Sequence, residues 1–253
     1  MNRLLSISLA ALLLATGARA APPSYAAISL VGDKLDIVTY QPQVGSQLDR
    51  NTHMALTMSQ DELDTAALRA INRSLRAAAP GAQIALLAAS TPESFANQSE
   101  IFSGSHVRLP AEIDAAVRRE GATMLVLVTK HHGDARFKVA DGYIGTGKLD
   151  GLGFYVDTVL ESHDVDTGAN STGYLAPFVY IDVTLIDLAT LTVVRRDTIM
   201  DAQLIGAAGN AKGVHPWDTL TSAEKVETLK SRLTATLQRV VPSLVTGAAL
   251  KAE

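Results

Sequence analysis

Four short stretches bring reactive side-chain types together at suggestive spacing. Gly142-Tyr143-Ile144-Gly145-Thr146-Gly147-Lys148 has the spacing of a phosphate-binding loop. That chemistry needs backbone amides around the phosphates, a lysine on the terminal ones and a hydroxyl on magnesium. Position 149 is Leu, so the hydroxyl is missing, and Gly151 and Gly153 oppose a following helix. The spacing therefore reads as a glycine-rich hairpin or loop. His131-His132-Gly133-Asp134 and His163-Asp164-Val165-Asp166 hold metal-ligand types. Adjacent histidines on an extended chain point to opposite faces, so they do not share one ion easily. Asp164 and Asp166 would lie on one side of a strand and meet a cation only with help from elsewhere. Neither stretch has the helical His-Glu-x-x-His or the EF-hand pattern, so no metal site is expected. Ser103-Gly104-Ser105-His106 sets hydroxyls beside an imidazole. Sequence neighbours rarely align as a triad, and the Gly-x-Ser-x-Gly elbow is absent.

A different kind of cluster lies around the same glycines. Tyr143, Phe154, Tyr155, Tyr174 and Phe178 are concentrated there in a chain that is only 5% aromatic. Exposed aromatics on loops suit contact with a partner, whereas buried ones would simply cover the sheet. Tyr143, Lys148, Phe154, Tyr155 and Tyr174 are the candidate partner-binding residues, in and beside a glycine-rich loop region spanning 133–173.

The elements that must position these residues follow from hydrophobic period and punctuation. Ala27–Val31 and Leu35–Val38, joined through Gly32-Asp33, predict a hairpin. Residues 41–57 are polar and without period, and predict a loop. Ser59 and Glu62 form a capping box ahead of Leu63, Ala67, Ile71, Leu75 and Ala78, which recur at helical spacing until Pro80-Gly81. Ile84–Ala89 has strand length, and Ser90–Arg108 reads as loop. Pro110, Ile113, Ala116, Val117 and Gly121 mark a second helix. Thr123–Thr129 is apolar without alternation, so both of its faces should be covered. Phe178–Leu188 and Leu191–Ile199 predict a strand pair. A second capping box, Thr221 to Glu224, opens a last helix with Val226, Leu229, Leu233, Leu237 and Val240 on one face, stopped by Pro242. Helices alternating with strands imply an α/β (α+β) fold, a mixed sheet with helices packed on it plus antiparallel hairpins.

This order resembles a group of bacterial envelope proteins, the N-terminal domain of TolB and the CsgG and LpoB-type proteins. The matching pieces are Thr123–Thr129 after Gly121-Ala122, and Val179–Asp187, where a strand runs into an Asp-containing turn and returns. The resemblance spans Asp61 to Val241 and implies an envelope role. The chain departs from it in the hairpin at Gly32-Asp33, where one strand is expected. It also lacks the lipid-anchor cysteine, so pore formation and outer-membrane anchoring are not implied.

The N-terminus gives the compartment. Arg3 precedes an apolar run, Leu4–Ala15, that is shorter than the roughly 20 residues of a membrane span. Ala18-Arg19-Ala20 then places small residues where a signal peptidase reads. Residues 1–20 are expected to be a cleaved signal peptide and 21–253 a single mixed α/β domain, periplasmic or secreted. The chain has no cysteine, which removes disulfides, thiolate metal sites and a cysteine nucleophile. An exported chain of this size without disulfides points to a bacterial periplasm. Cleavage would leave a net charge of about −6, counter to nucleic-acid binding and to electrostatic attachment to anionic lipid. The expected function is non-catalytic: binding of an envelope protein or small ligand, with no cofactor and no stable membrane anchor. The alternative is a periplasmic hydrolase whose site is dispersed along the chain.

Overall fold

In the computed structural model, residues 23–42, 50–58, 61–89, 91–163, 170–206 and 215–247 are described. The chain opens with β1 (Ser24–Ser29), β2 (Lys34–Thr39) and β3 (Thr52–Thr57), then α1 (Glu62–Ala78), β4 (Gln83–Leu87) and the single turn α2 (Pro92–Phe95). Two-residue strands β5 (Phe102–Ser103) and β6 (His106–Val107) precede α3 (Ala111–Arg119) and β7 (Met124–Lys130). Four three-residue strands follow: β8 (His132–Asp134), β9 (Phe137–Val139), β10 (Gly142–Ile144) and β11 (Lys148–Asp150). The chain closes with β12 (Leu152–His163), β13 (Asn170–Asp187), β14 (Thr192–Ala202), β15 (Ile205–Gly206) and α4 (Ser222–Thr246). The result is the expected α+β class, a mixed sheet with helices packed on it and separate antiparallel hairpins.

The 18-residue β13 is the spine of the main sheet. Along one of its edges, β12 pairs with Asn170–Val179 and β7 pairs with Ile181–Asp187. Both run antiparallel to it, so β7 and β12 lie end to end. The next column repeats this arrangement. β1 runs parallel to β7, and β2 runs parallel to β12. β4 then flanks β1, and β3 flanks β2.

This overturns two sequence expectations. The Gly32-Asp33 turn does not fold β1 onto β2; the two strands follow one another in a single column. The ladder even continues past β1, with the Leu30 N–H bonding to Val128 O at 2.9 Å. Residues 25–31 are nearly all buried, on both faces of the sheet, which a terminal hairpin cannot provide. Likewise the segment read as loop contains β3. All six of its residues are exposed, so no hydrophobic alternation marked it.

One face of the sheet carries α1 and α4. Leu63, Ala67, Ile71 and Leu75 of α1 meet Leu229, Leu233, Leu237 and Val240 of α4 over Val126, Val128, Phe154, Val179 and Ile181. Each fully buried leucine there contributes about 2 kcal/mol. The capping box at Thr221 forms as predicted, with the Thr221 N–H donating to Glu224 Oε2 at 2.8 Å. α1 starts at Glu62 with Asp61 as its N-cap and no side-chain cap bond; Ser59 lies outside the described residues. Pro242 does not stop α4, which runs on to Thr246 and closes with Gly247 in the left-handed region. Burial of Val241 and Leu244 outweighs the one backbone bond that proline removes so near the end. On the opposite face α3 sets Ile113 and Val117 against Ala26, Ile28, Leu125 and Leu127.

Candidate functional site

The glycine-rich region lies down on the sheet. Phe154 is buried between the helices and the sheet, its ring edge-on to Trp217 at 5.7 Å. Tyr155 and Tyr174 are buried on the other face, stacked at 6.0 Å, with Phe137 of β9 4.9 and 5.9 Å from them. Burial pushes the Tyr174 phenol well above its ordinary range, so it stays neutral. Tyr180 donates its hydroxyl to the Asp134 carbonyl at 3.0 Å and pins the β8–β11 hairpin down. A surface role for Phe154, Tyr155 and Tyr174 does not fit this placement; they are core. Apolar area on a twelve-residue strand needs cover, and the short hairpins supply it. Tyr143 remains 61% exposed, with the Arg136 guanidinium over its ring at 4.6 Å. Lys148 pairs with Asp134, whose carboxyl it holds below the usual range by hydrogen bond and charge.

The other sequence candidates disperse. No helix follows Gly142–Lys148, which runs from β10 to β11. A Cβ on Gly145 would come within 2.7 Å of the Phe137 ring, so that glycine permits the hairpin to close on its core. Ser103 and His106 face one another across the β5–β6 pair. His131 Nδ1 lies 3.5 Å from Asp182 Oδ1, while His132 is exposed on β8. Asp164 and Asp166 lie outside the described residues. Among the described residues no group of three or more potential ligands could hold a metal ion.

A smaller concavity lies elsewhere, at the carboxyl ends of the parallel strands β1 and β4. After β1 the chain leads through β2 and β3 to α1 on one face; after β4 it leads to α3 on the other. Departures to opposite faces open a crevice at the strand ends, the general position of ligand sites in such sheets. The crevice measures about 490 Å³. Met58, Ala88, Ala89, Pro92, Phe95 and Ala96 form its apolar wall, and Asp33, Lys34, Asp61 and Asp64 its polar side.

Asp64 organises this end of the molecule. Its carboxylate accepts the Ser29 hydroxyl at 2.5 Å, the Val31 N–H at 3.1 Å and the Gly32 N–H at 3.1 Å. These are the groups freed where the column breaks between β1 and β2. A Cβ on Gly32 would sit 2.6 Å from Asp64 Oδ2, so glycine is needed for the approach. Asp64 is only 8% exposed, and burial pushes its carboxyl above the usual range against the pull of the three hydrogen bonds. Lys130 Nζ neutralises Asp33 at 2.5 Å. The wall is braced from behind: Thr91 and Ser94 both donate to Glu112 Oε2, at 2.6 and 2.8 Å. Gln98 ties it to the sheet through Leu30 O and the Lys130 N–H, at 2.7 and 2.9 Å. Beyond Phe95 a wider polar cleft of about 830 Å³ continues past Lys130, His131, Asp182 and Arg196.

The chain is similar to solved bacterial structures. One is a PelC dodecamer from Paraburkholderia phytofirmans, at 12% identity over 89% of this chain and 86% of that one, with a TM-score of 0.31. Another is protein XCC0632 from Xanthomonas campestris, at 10% identity over 89% and 86%, TM-score 0.35. A third is the hypothetical protein CT253 from Chlamydia trachomatis, at 11% identity over 89% and 99%, TM-score 0.35. None of the three carries the name TolB, CsgG or LpoB. No functional statement follows from likeness at this level. No family model and no curated protein matches the chain.

Asp64 was open to discovery in the sequence. Asp64, Leu68, Ile71 and Leu75 share one helical stripe, so a carboxylate stands in line with core residues. Its partners, 32 to 35 residues earlier, carry no mark of their own.

Proposed function

We propose that this is an exported, non-catalytic binding protein that holds a small ligand in the crevice between β1 and β4. The observation that carries the reading is the crevice itself. It has an apolar wall, a braced rim and a buried carboxylate, where the chain leaves the parallel neighbours β1 and β4 toward opposite faces. Asp33 at its edge is held by Lys130, which helps to fix the shape of the space. The N-terminal pattern supports export, and no described helix is long and apolar enough to cross a membrane. Native mass spectrometry of the protein purified from its own periplasmic fraction tests both parts. A chain beginning at Ala21 with a small-molecule adduct, lost on Ala96→Trp, is the expected result. A chain retaining residues 1–20, or an adduct indifferent to Ala96→Trp, would contradict it.

One observation favours the hydrolase reading: His131 and Asp182 pair inside the wider cleft. The far nitrogen of that imidazole, Nε2, lies 3.2 Å from the position of a Cβ on Gly133. The ring edge thus sits beside that glycine. Serine labelling by a fluorophosphonate, abolished by His131→Ala, would establish that reading instead.

A further inference from the structure

We infer that the crevice selects an organic cation: an ammonium group held beside Asp64 and Asp61, with an apolar body against Met58, Pro92 and Phe95. This rests on the crevice being the binding site. The charge balance there favours a cation. Asp33, Asp61 and Asp64 border the space, while Lys34 and the Lys130 that neutralises Asp33 supply only two positive charges. An anion would need free donors. The Val31 and Gly32 amides, at the place where strand-end loops in other folds hold phosphate, already donate to Asp64. The positive end of α1 is answered by Asp61, Glu62 and Asp64 in its own first turn. An anionic ligand would thus meet a carboxylate where it requires an amide. The Phe95 ring forms part of the wall of the same space and can face a cation. An ammonium group beside Asp64 would also return to that buried carboxylate the charge partner it lacks.

Three probes of one shape separate the possibilities: 2-phenylethylammonium, 2-phenylethanol and phenylacetate. Each is titrated into the full chain, with amide chemical shifts locating the contact and calorimetry giving the affinity. The inference expects shifts at Gly32, Asp64 and Ala88–Ala96, and binding about tenfold tighter for the ammonium than for the alcohol, as one charge-assisted contact gives. Phenylacetate should not bind. Asp61→Asn should shrink the ratio while leaving the alcohol unchanged. Asp61 is exposed and makes no side-chain cap bond, so this variant keeps the fold. Equal affinity for ammonium and alcohol at the crevice would overturn the charge selection and leave the crevice as the site. No shifts at the crevice with any probe would overturn both.

Discussion

The two ends of the β13 spine solve the same problem in different ways. At one end β12, β13 and β2 are covered on both faces. The helices pack on one face, and the hairpins β8–β11 and β9–β10 close the other over Tyr155, Tyr174, Phe178 and Tyr180. Aromatic bulk fills that end. At the other end β4, β1 and β7 run parallel, and α1 and α3 cover opposite faces. There the chain departs in two directions and leaves a space, stabilised by a buried carboxylate instead of by apolar mass. Residue type alone thus misleads about role. The conspicuous aromatics are packing, and an ordinary-looking acid shapes the candidate site.

The contrast can be broken from either side. The largest effect is expected from Tyr155→Ala, which empties the aromatic cap and should cost about 4 kcal/mol in urea denaturation. Gly153→Ala should cost about 3 kcal/mol. Its Cβ would overlap the Asp36 carbonyl oxygen and meet the Phe178 ring, forcing β12 away from β2. Neither change should disturb the crevice before unfolding, as amide shifts at Gly32 and Ala89 would report. Asp64→Ala should cost about 2 kcal/mol, because it strands two buried amides and a hydroxyl while also removing a buried charge. Hydrogen exchange should then quicken at Val31 and Gly32 and stay slow along β13. Tyr143→Ala should change stability by no more than about 0.5 kcal/mol, since its ring stands outside the cap. A cost as large as that of Tyr155→Ala would make the hairpin tip part of the core and erase the distinction.

Much of the frame was legible because it is local. The periods at Leu63–Leu75 and Leu229–Val240, the capping box at Thr221 and the unbroken apolar run at Thr123–Thr129 each encode an element with no help from elsewhere. What failed depends on partners distant in sequence. Gly32-Asp33 has the composition of a hairpin turn, yet β7 and β12 provide a continuous edge along which β1 and β2 both run. β3 has no buried face and so no period. The aromatics near Gly145 and Gly153 read as loop residues because glycines surround them, and those glycines instead admit close packing. The site was the least legible part. Asp64 and its three donors come together only after β1 is fixed between β4 and β7. Only its place on an otherwise apolar stripe could have drawn notice.

The central claim is that the crevice at the ends of β1 and β4 is a ligand site and the aromatic region is not. The most direct measurement is a crystal structure of the protein purified from its native source. The account expects electron density for a small molecule between Asp64 and Phe95, with the face beneath Phe137 filled by side chains alone. A small molecule seated against Tyr155 and Tyr174, with only water in the crevice, would contradict it.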